Sequence, residues 1–284
     1  ARGAACLHIE KRVVGILRTD TIKVTLKAVF IGGTMLVPGV SGGTMAMLLG
    51  IYDRLIYAVS SFRKDIKGNI FFLWMFLLGG LAGMFLFSRP ILYLIENFPK
   101  PSLFFFLGAV VGGVPMIVRH SSVQKLTFRV AAYVLIGIVI VCLISKLPPD
   151  LFSAGDGGSV SRFLWLMAAG VLSAVALVLP GISVSYMLLM LGLYDMTMKA
   201  ITELDFGRLF PLALGLGGGI LLTTRILEKA MNRHPQPTYL IILGFILSSA
   251  VEVFPGVPSG GEWILCPLTL SAGFGCIYGL SKLE

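Results

Sequence analysis

Pro38-Gly39-Val40-Ser41-Gly42-Gly43-Thr44-Met45-Ala46-Met47-Leu48-Leu49-Gly50-Ile51-Tyr52-Asp53 is the stretch from which the architecture can be read. It puts a Pro-Gly break inside an apolar run, and the chain carries it twice. Residues 180–195 read Pro180-Gly181-Ile182-Ser183-Val184-Ser185-Tyr186-Met187-Leu188-Leu189-Met190-Leu191-Gly192-Leu193-Tyr194-Asp195. The Pro-Gly, Ser, Met, Leu-Gly and Tyr-Asp positions recur at a spacing of 142. Downstream the spacing shortens to 136, as a shorter loop after the second Tyr-Asp would produce. Gly79, Gly83, Arg89, Pro99, Pro101, Gly108 and Gly137 then match Gly215, Gly219, Arg225, Pro235, Pro237, Gly244 and Gly273. A series held at one offset over such a length marks an internal duplication.

Composition sets the class. The chain has 284 residues, 56% hydrophobic and 13% charged, with a mean hydropathy of +0.92. Soluble domains carry about 25% charged residues. Apolar runs of membrane-spanning length, rich in Gly and Phe, point to an all-α integral membrane protein rather than a barrel. The net charge of +9 suits basic cytoplasmic loops better than nucleic acid, since no soluble basic domain is left over. Four cysteines without a CxxC pair and three scattered histidines offer no metal or cofactor site; Cys142, Cys266 and Cys276 are expected to be buried small residues.

Five apolar segments fall in each half: 22–37, 40–60, 70–95, 102–119 and 128–146, then 162–179, 182–201, 209–230, 238–254 and 263–281. The sixteen residues of 22–37 would rise about 24 Å as a helix, and the thirteen from Val40 to Tyr52 about 20 Å. Both fall short of a hydrocarbon core of about 30 Å. The arms are therefore expected to form a re-entrant helical hairpin with Pro38-Gly39 at its tip, and Pro180-Gly181 at the tip of the copy. Two complete spans with a tight outside turn are the alternative. A hairpin crosses zero or two times and three transmembrane helices follow it, so the number of crossings per half is odd. The two halves then form inverted-topology repeats. The expected organisation is a cytoplasmic or interfacial segment at 1–21, a first membrane repeat at 22–147, an extracytoplasmic linker at 148–161 and a second repeat at 162–284. With both termini cytoplasmic, fourteen Lys and Arg residues fall inside and five outside.

Breaks of this kind survive at membrane depth only inside protein or facing a watery cavity. One per half is a sequence pointer to the central site of a transporter. After the first break, Ser41, Gly42, Gly43 and Thr44 offer hydroxyls and free N–H groups suited to an anion, particularly a phosphate. The second copy offers Ser183 and Ser185. Arg89 and Arg225 either hold a phosphate through a charge-assisted fork or snorkel to headgroups and pair with Glu96 or Glu228. Asp53 and Asp195, at the hairpin bases, are helix-end residues or coupling carboxylates for protons or sodium. No Ser/His/Asp set, zinc motif or Walker loop points to an enzyme.

Met35-Leu36-Val37-Pro38-Gly39-Val40-Ser41-Gly42-Gly43-Thr44, followed by Leu49-Gly50-Ile51-Tyr52-Asp53, resembles the signature of the bacterial polyprenyl-phosphate transporter family, formerly domain of unknown function 368. The resemblance covers nearly the whole chain. Val184 departs from it, standing where a small Gly is expected in the second copy. The resemblance implies a multi-pass plasma-membrane protein, without cofactor, that returns undecaprenyl phosphate to the cytoplasmic leaflet for peptidoglycan and envelope polymer synthesis. Taken with the helix breaks, it leads to the expectation of a phosphate head held at Pro38, Gly39, Ser41, Gly42, Gly43, Thr44, Arg89, Pro180, Gly181, Ser183, Ser185 and Arg225, with the prenyl tail left in the bilayer. Membrane lipids and a second copy of the chain are the other partners compatible with this class. A secondary transporter of a small anionic solute uses the same repeats and is the competing reading.

Overall fold

The computed structural model describes residues 21–37, 40–121, 123, 127–146 and 159–282. Pro38 and Gly39, the segment up to residue 20 and the linker over 147–158 lie outside the described residues. No strand occurs among the described residues. The first half runs α1 (Thr21–Thr34), α2 (Gly42–Leu48), α3 (Tyr52–Ser60), α4 (Ile66–Asn97), α5 (Pro99–His120) and α6 (Phe128–Ser145). The second runs α7 (Ser159–Val178), α8 (Val184–Met190), α9 (Tyr194–Thr202), α10 (Phe206–Arg233), α11 (Pro235–Val253) and α12 (Glu262–Lys282). Each half thus repeats a helix, a seven-residue helix, a nine-residue helix and three long helices.

Local chemistry explains the boundaries. Asp65 and Asp205 cap α4 and α10, accepting from the N–H of Gly68 at 3.1 Å and of Arg208 at 3.3 Å. Pro99 and Pro235 open α5 and α11, where a missing N–H costs nothing. The sequence reading treats 40–60 and 182–201 as single segments, and the structure breaks both. Gly50 and Gly192 take φ of 66° and 64°, a left-handed turn that ends α2 and α8 before Tyr52 and Tyr194 start the next helix.

Among the described residues, five helices, including α4, α5 and α10, are long and apolar enough to cross a membrane. The exposed faces carry large apolar side chains along the long helices, Phe71, Trp74, Phe85, Leu135, Phe210 and Ile264 among them, as faces turned to lipid do. The same lipid-facing surface corrects the expectation for cysteine. Cys266 is buried, but Cys142 and Cys276 are exposed, because an apolar helix in lipid need not turn its small residues inward. α7, with 20 residues, rises about 30 Å and meets the length of a full span, unlike the sixteen-residue arm expected at 22–37.

Glycine pairs set the helix crossings, and they do so twice. A Cβ on Gly83 would collide with the Val29 carbonyl of α1, and one on Gly215 with the Met167 carbonyl of α7. α4 therefore lies on α1 as α10 lies on α7. Gly108 faces the Leu270 carbonyl and Gly273 the Phe105 carbonyl, joining α5 to α12. Gly244 faces the Val134 carbonyl and Gly137 the Ile241 carbonyl, joining α11 to α6. The last helix of each half thus packs on the fifth helix of the other, and α5 meets α11 between them.

The halves differ in how their short helices are covered. Met45, Leu48, Tyr52 and Ile56 of α2 and α3 enter the main core with Leu227 and Met231 of α10 and Leu240 and Ile246 of α11. Leu188, Leu191 and Leu193, in and beside α8, form only a small cluster with Leu166 and Ala169 of α7.

An ion pair joins the starts of α5 and α12: Lys100 Nζ lies 2.8 Å from Glu262 Oε2. The lysine hydrogen bond, with two more donated by the Ser259 N–H and hydroxyl, brings the Glu262 carboxyl down from 4.5 to about 2. A depressed carboxylate contributes stability fully above its unfolded value and loses it as pH falls toward the folded one. Lys100→Ala should therefore lower the melting temperature slightly at pH 6, and the difference from wild type should shrink as pH falls below 4.5 and be lost only as it passes about 2. A pH-independent difference would contradict the pairing. The effect is small because both side chains are about a third exposed (27% and 33%).

Candidate functional site

Ser41 and Ser183 are the N-caps of α2 and α8, both in extended backbone. Ser183 Oγ accepts from the Tyr186 N–H at 3.4 Å, whereas Ser41 makes no capping bond. The two duplicated segments touch: a Cβ on Gly43 would lie 3.4 Å from Pro180 Cα and 3.5 Å from Ser41 Oγ. Gly42 faces the Met35 sulfur. Gly181 turns at φ 84°, and the Phe245 carbonyl of α11 occupies the space a Cβ would need.

Thr44 stands out at this junction. It is 2% exposed, and its Oγ1 has no hydrogen-bond partner. A buried hydroxyl without a partner costs about 1–3 kcal/mol. Across the junction Ser183 and Ser185 are exposed, while Ser41, Gly42 and Gly43 are half-buried. The structure thus gathers Ser41, Gly42, Gly43, Thr44, Pro180 and Gly181 closely. Arg89 and Arg225 are instead exposed on α4 and α10, and neither forms a hydrogen bond or ion pair with the junction.

The Tyr-Asp motif of the first half is a tether. Tyr52, buried, donates from its hydroxyl to the Val178 carbonyl at 2.7 Å. That carbonyl belongs to the last turn of α7, where carbonyls lack intrahelical partners. Asp53 Oδ2 accepts from the Tyr239 hydroxyl of α11 at 2.7 Å, and the Tyr239 ring centre lies 5.8 Å from that of His120. Met47, Gly50 and Met116 line a small cavity beside them. Asp195, the counterpart of Asp53, is exposed.

Arg54 is a residue the sequence reading passes over. It is 2% exposed, stacked 4.6 Å above the Phe72 ring and 5.6 Å from the Tyr57 ring centre. Its Nη1 donates to Asn69 Oδ1 at 2.8 Å, but Nε and Nη2 have no partner. Asn69 in turn donates to the carbonyls of Ser61 and Phe62, and the Ser61 hydroxyl reaches Glu228 of α10 at 3.1 Å. An arginine beside an apolar run was the available signal. The duplication hid it, because Met196 occupies the matching position.

A family model described as undecaprenyl phosphate translocase-like matches residues 31–260. A polyprenyl-phosphate transporter of Staphylococcus aureus is 34% identical over 262 residues, covering 88% of this chain and 92% of that protein. A polyprenyl-phosphate transporter of Vibrio cholerae is 26% identical over 250 residues, covering 81% of this chain and 76% of that protein. No solved structure matches. The chain in which Gly43 of the first duplicated segment meets Pro180 of the second is thus a member of the undecaprenyl phosphate translocase-like family.

Proposed function

We propose that this protein moves undecaprenyl phosphate across the bacterial plasma membrane, returning it to the cytoplasmic leaflet for reuse. The observation that carries the site is the buried, unpartnered Thr44 hydroxyl at the junction where Gly43 meets Pro180. A phosphate monoester carries several strong acceptor oxygens. Thr44, Ser41 and the N–H groups of Gly42 and Gly43 can donate to them from one side, and Ser183 and Ser185 from the other. The names of both relatives support the lipid class.

The mechanism is alternating access. The repeats at 22–147 and 162–284 are inverted, both termini are cytoplasmic, and only the head crosses between the hairpin tips. Glycine contacts at matching positions, exchanged last helices and the charge bias support this arrangement. Asp53, closed in by Tyr239 and His120, is the coupling carboxylate, and exposed Asp195 is its outer counterpart. Arg89 and Arg225 point away from the junction and engage membrane headgroups. The reaction is transport, with no bond made or broken.

Ser41→Ala/Thr44→Val removes two hydroxyls and should weaken binding of undecaprenyl phosphate to the purified protein at least about tenfold, since hydrogen bonds to charged groups contribute about 1.5–3 kcal/mol each. Wild type should prefer the lipid phosphate over a neutral polyprenol and over a soluble phosphate monoester. Equal binding of phosphate and polyprenol, or full affinity in the double variant, would overturn the site. Preference for the soluble phosphate would favour the small-anion transporter.

A further inference from the structure

Between α1, α4, α5 and α12 lies a cavity of about 530 Å³. Phe30 and Thr34 of α1, Phe87 and Ile91 of α4, Phe105 of α5 and Thr269 of α12 form much of its wall. The lining is carbon except for three hydroxyls, and each of these is already committed. Thr34 donates to the Ile31 carbonyl at 2.8 Å, Ser102 to the Phe98 carbonyl at 2.7 Å and Thr269 to the Cys266 carbonyl at 3.0 Å. The cavity offers nothing to a polar ligand. Unfilled, it would forfeit the dispersion contacts of every ring around it.

Three features indicate what fills it. Its mouth is flanked by Leu94 and Phe98, which are 47% and 45% exposed on the outer surface of the helices, so a chain can enter sideways from lipid. Thr34 in its wall closes α1, the helix that leads in sequence to Ser41 and Thr44 of the proposed head site. The matching space in the second half is closed. Ile91, Ile95 and Phe106 correspond to Leu227, Met231 and Ile242, which are buried in the main core beneath Tyr52 and Ile56 of α3. The first half holds an open apolar slot where the matching space of the second is packed shut by α3, the nine-residue helix of the first half.

We infer that this cavity binds the head-proximal isoprene units of a polyprenyl phosphate. The inference rests on the lipid-phosphate reading above and adds a tail site to it. The phosphate at Thr44 and the chain between α4 and α5 are then read together. A neutral prenol lacks the first contact, and a soluble phosphate lacks the second. Packing by α9 against α4, equivalent to that of α3 against α10, would erase the cavity and release the chain. The bulk of a methyl-branched chain suits a slot walled by phenylalanine rings, which a straight acyl chain would fill poorly.

The test uses the wild-type protein in phospholipid nanodiscs with two photoreactive probes. One is a polyprenyl phosphate with a diazirine on the isoprene unit nearest the phosphate. The other is a phospholipid with a diazirine on its acyl chain. The isoprenoid probe should label peptides within 87–106, unlabelled polyprenyl phosphate should compete, and Ile91→Trp should cut this labelling about fivefold by occupying the slot. Binding of unmodified undecaprenyl phosphate is measured in the same discs. If it binds but labelling falls elsewhere, or the phospholipid probe labels 87–106 equally, the tail site is wrong and the transport reading stands. If it does not bind, both fall.

Discussion

Gly83→Leu should leave almost no folded protein, while Gly217→Ala, on the matching helix of the other half, should be tolerated. A side chain at 83 has to displace the Val29 backbone of α1, because even its Cβ would overlap the carbonyl there. Overpacking a rigid contact costs about 1–3 kcal/mol, and more when the obstacle is backbone rather than a movable side chain. Gly217 has nothing within 4 Å. Alanine there should raise helix stability by up to about 1 kcal/mol. Gly215→Leu, against the Met167 carbonyl, should behave like Gly83→Leu. Yield of monodisperse protein and its melting temperature in detergent check the series. A Gly83→Leu protein as stable as wild type would mean that α1 and α4 do not cross as described.

The second large effect falls on Gly181. Alanine there meets two obstacles. The φ of 84° disfavours any residue with a Cβ by about 1–2 kcal/mol, and the Cβ points at the Phe245 carbonyl. Relief requires moving the loop that carries Pro180 away from α11 and from Gly43. Gly181→Ala should therefore lose polyprenyl phosphate transport more completely than it loses folded protein. A variant with normal transport would show that the Pro180–Gly43 junction is not where the head passes.

The duplication made much of this architecture legible. Pattern matches at one offset identify residues that later lie in matching environments: Gly79 and Gly83 against α1, Gly215 and Gly219 against α7, and Gly108 and Gly244 at the exchanged crossings. A glycine kept for close helix approach leaves a mark in sequence because no other residue fits. The breaks inside 40–60 and 182–201 were equally marked, by Gly50 and Gly192. Apolar residues on both sides conceal such a turn, because it stays inside protein.

The differences between the halves were not legible. Tyr52 and Tyr194 match in sequence, yet only Tyr52 is tied to the other half, through Val178. Asp53 and Asp195 match, yet only Asp53 meets a tyrosine from α11. A single conformation makes like residues unlike, and no pattern records which half is closed. The arginines erred the other way. Arg89 and Arg225 recur and invite a shared role, but helical phase turns both outward, while unrepeated Arg54 is the one buried among aromatic rings.

The most direct measurement is translocation itself. Proteoliposomes with undecaprenyl phosphate confined to one leaflet would be followed by the accessibility of its phosphate to a membrane-impermeant reagent. Wild type should move the phosphate to the opposite leaflet far faster than protein-free vesicles, and Ser41→Ala/Thr44→Val should slow it while melting no lower than wild type, since it removes an unpartnered buried hydroxyl. Equal rates with and without protein would contradict the account.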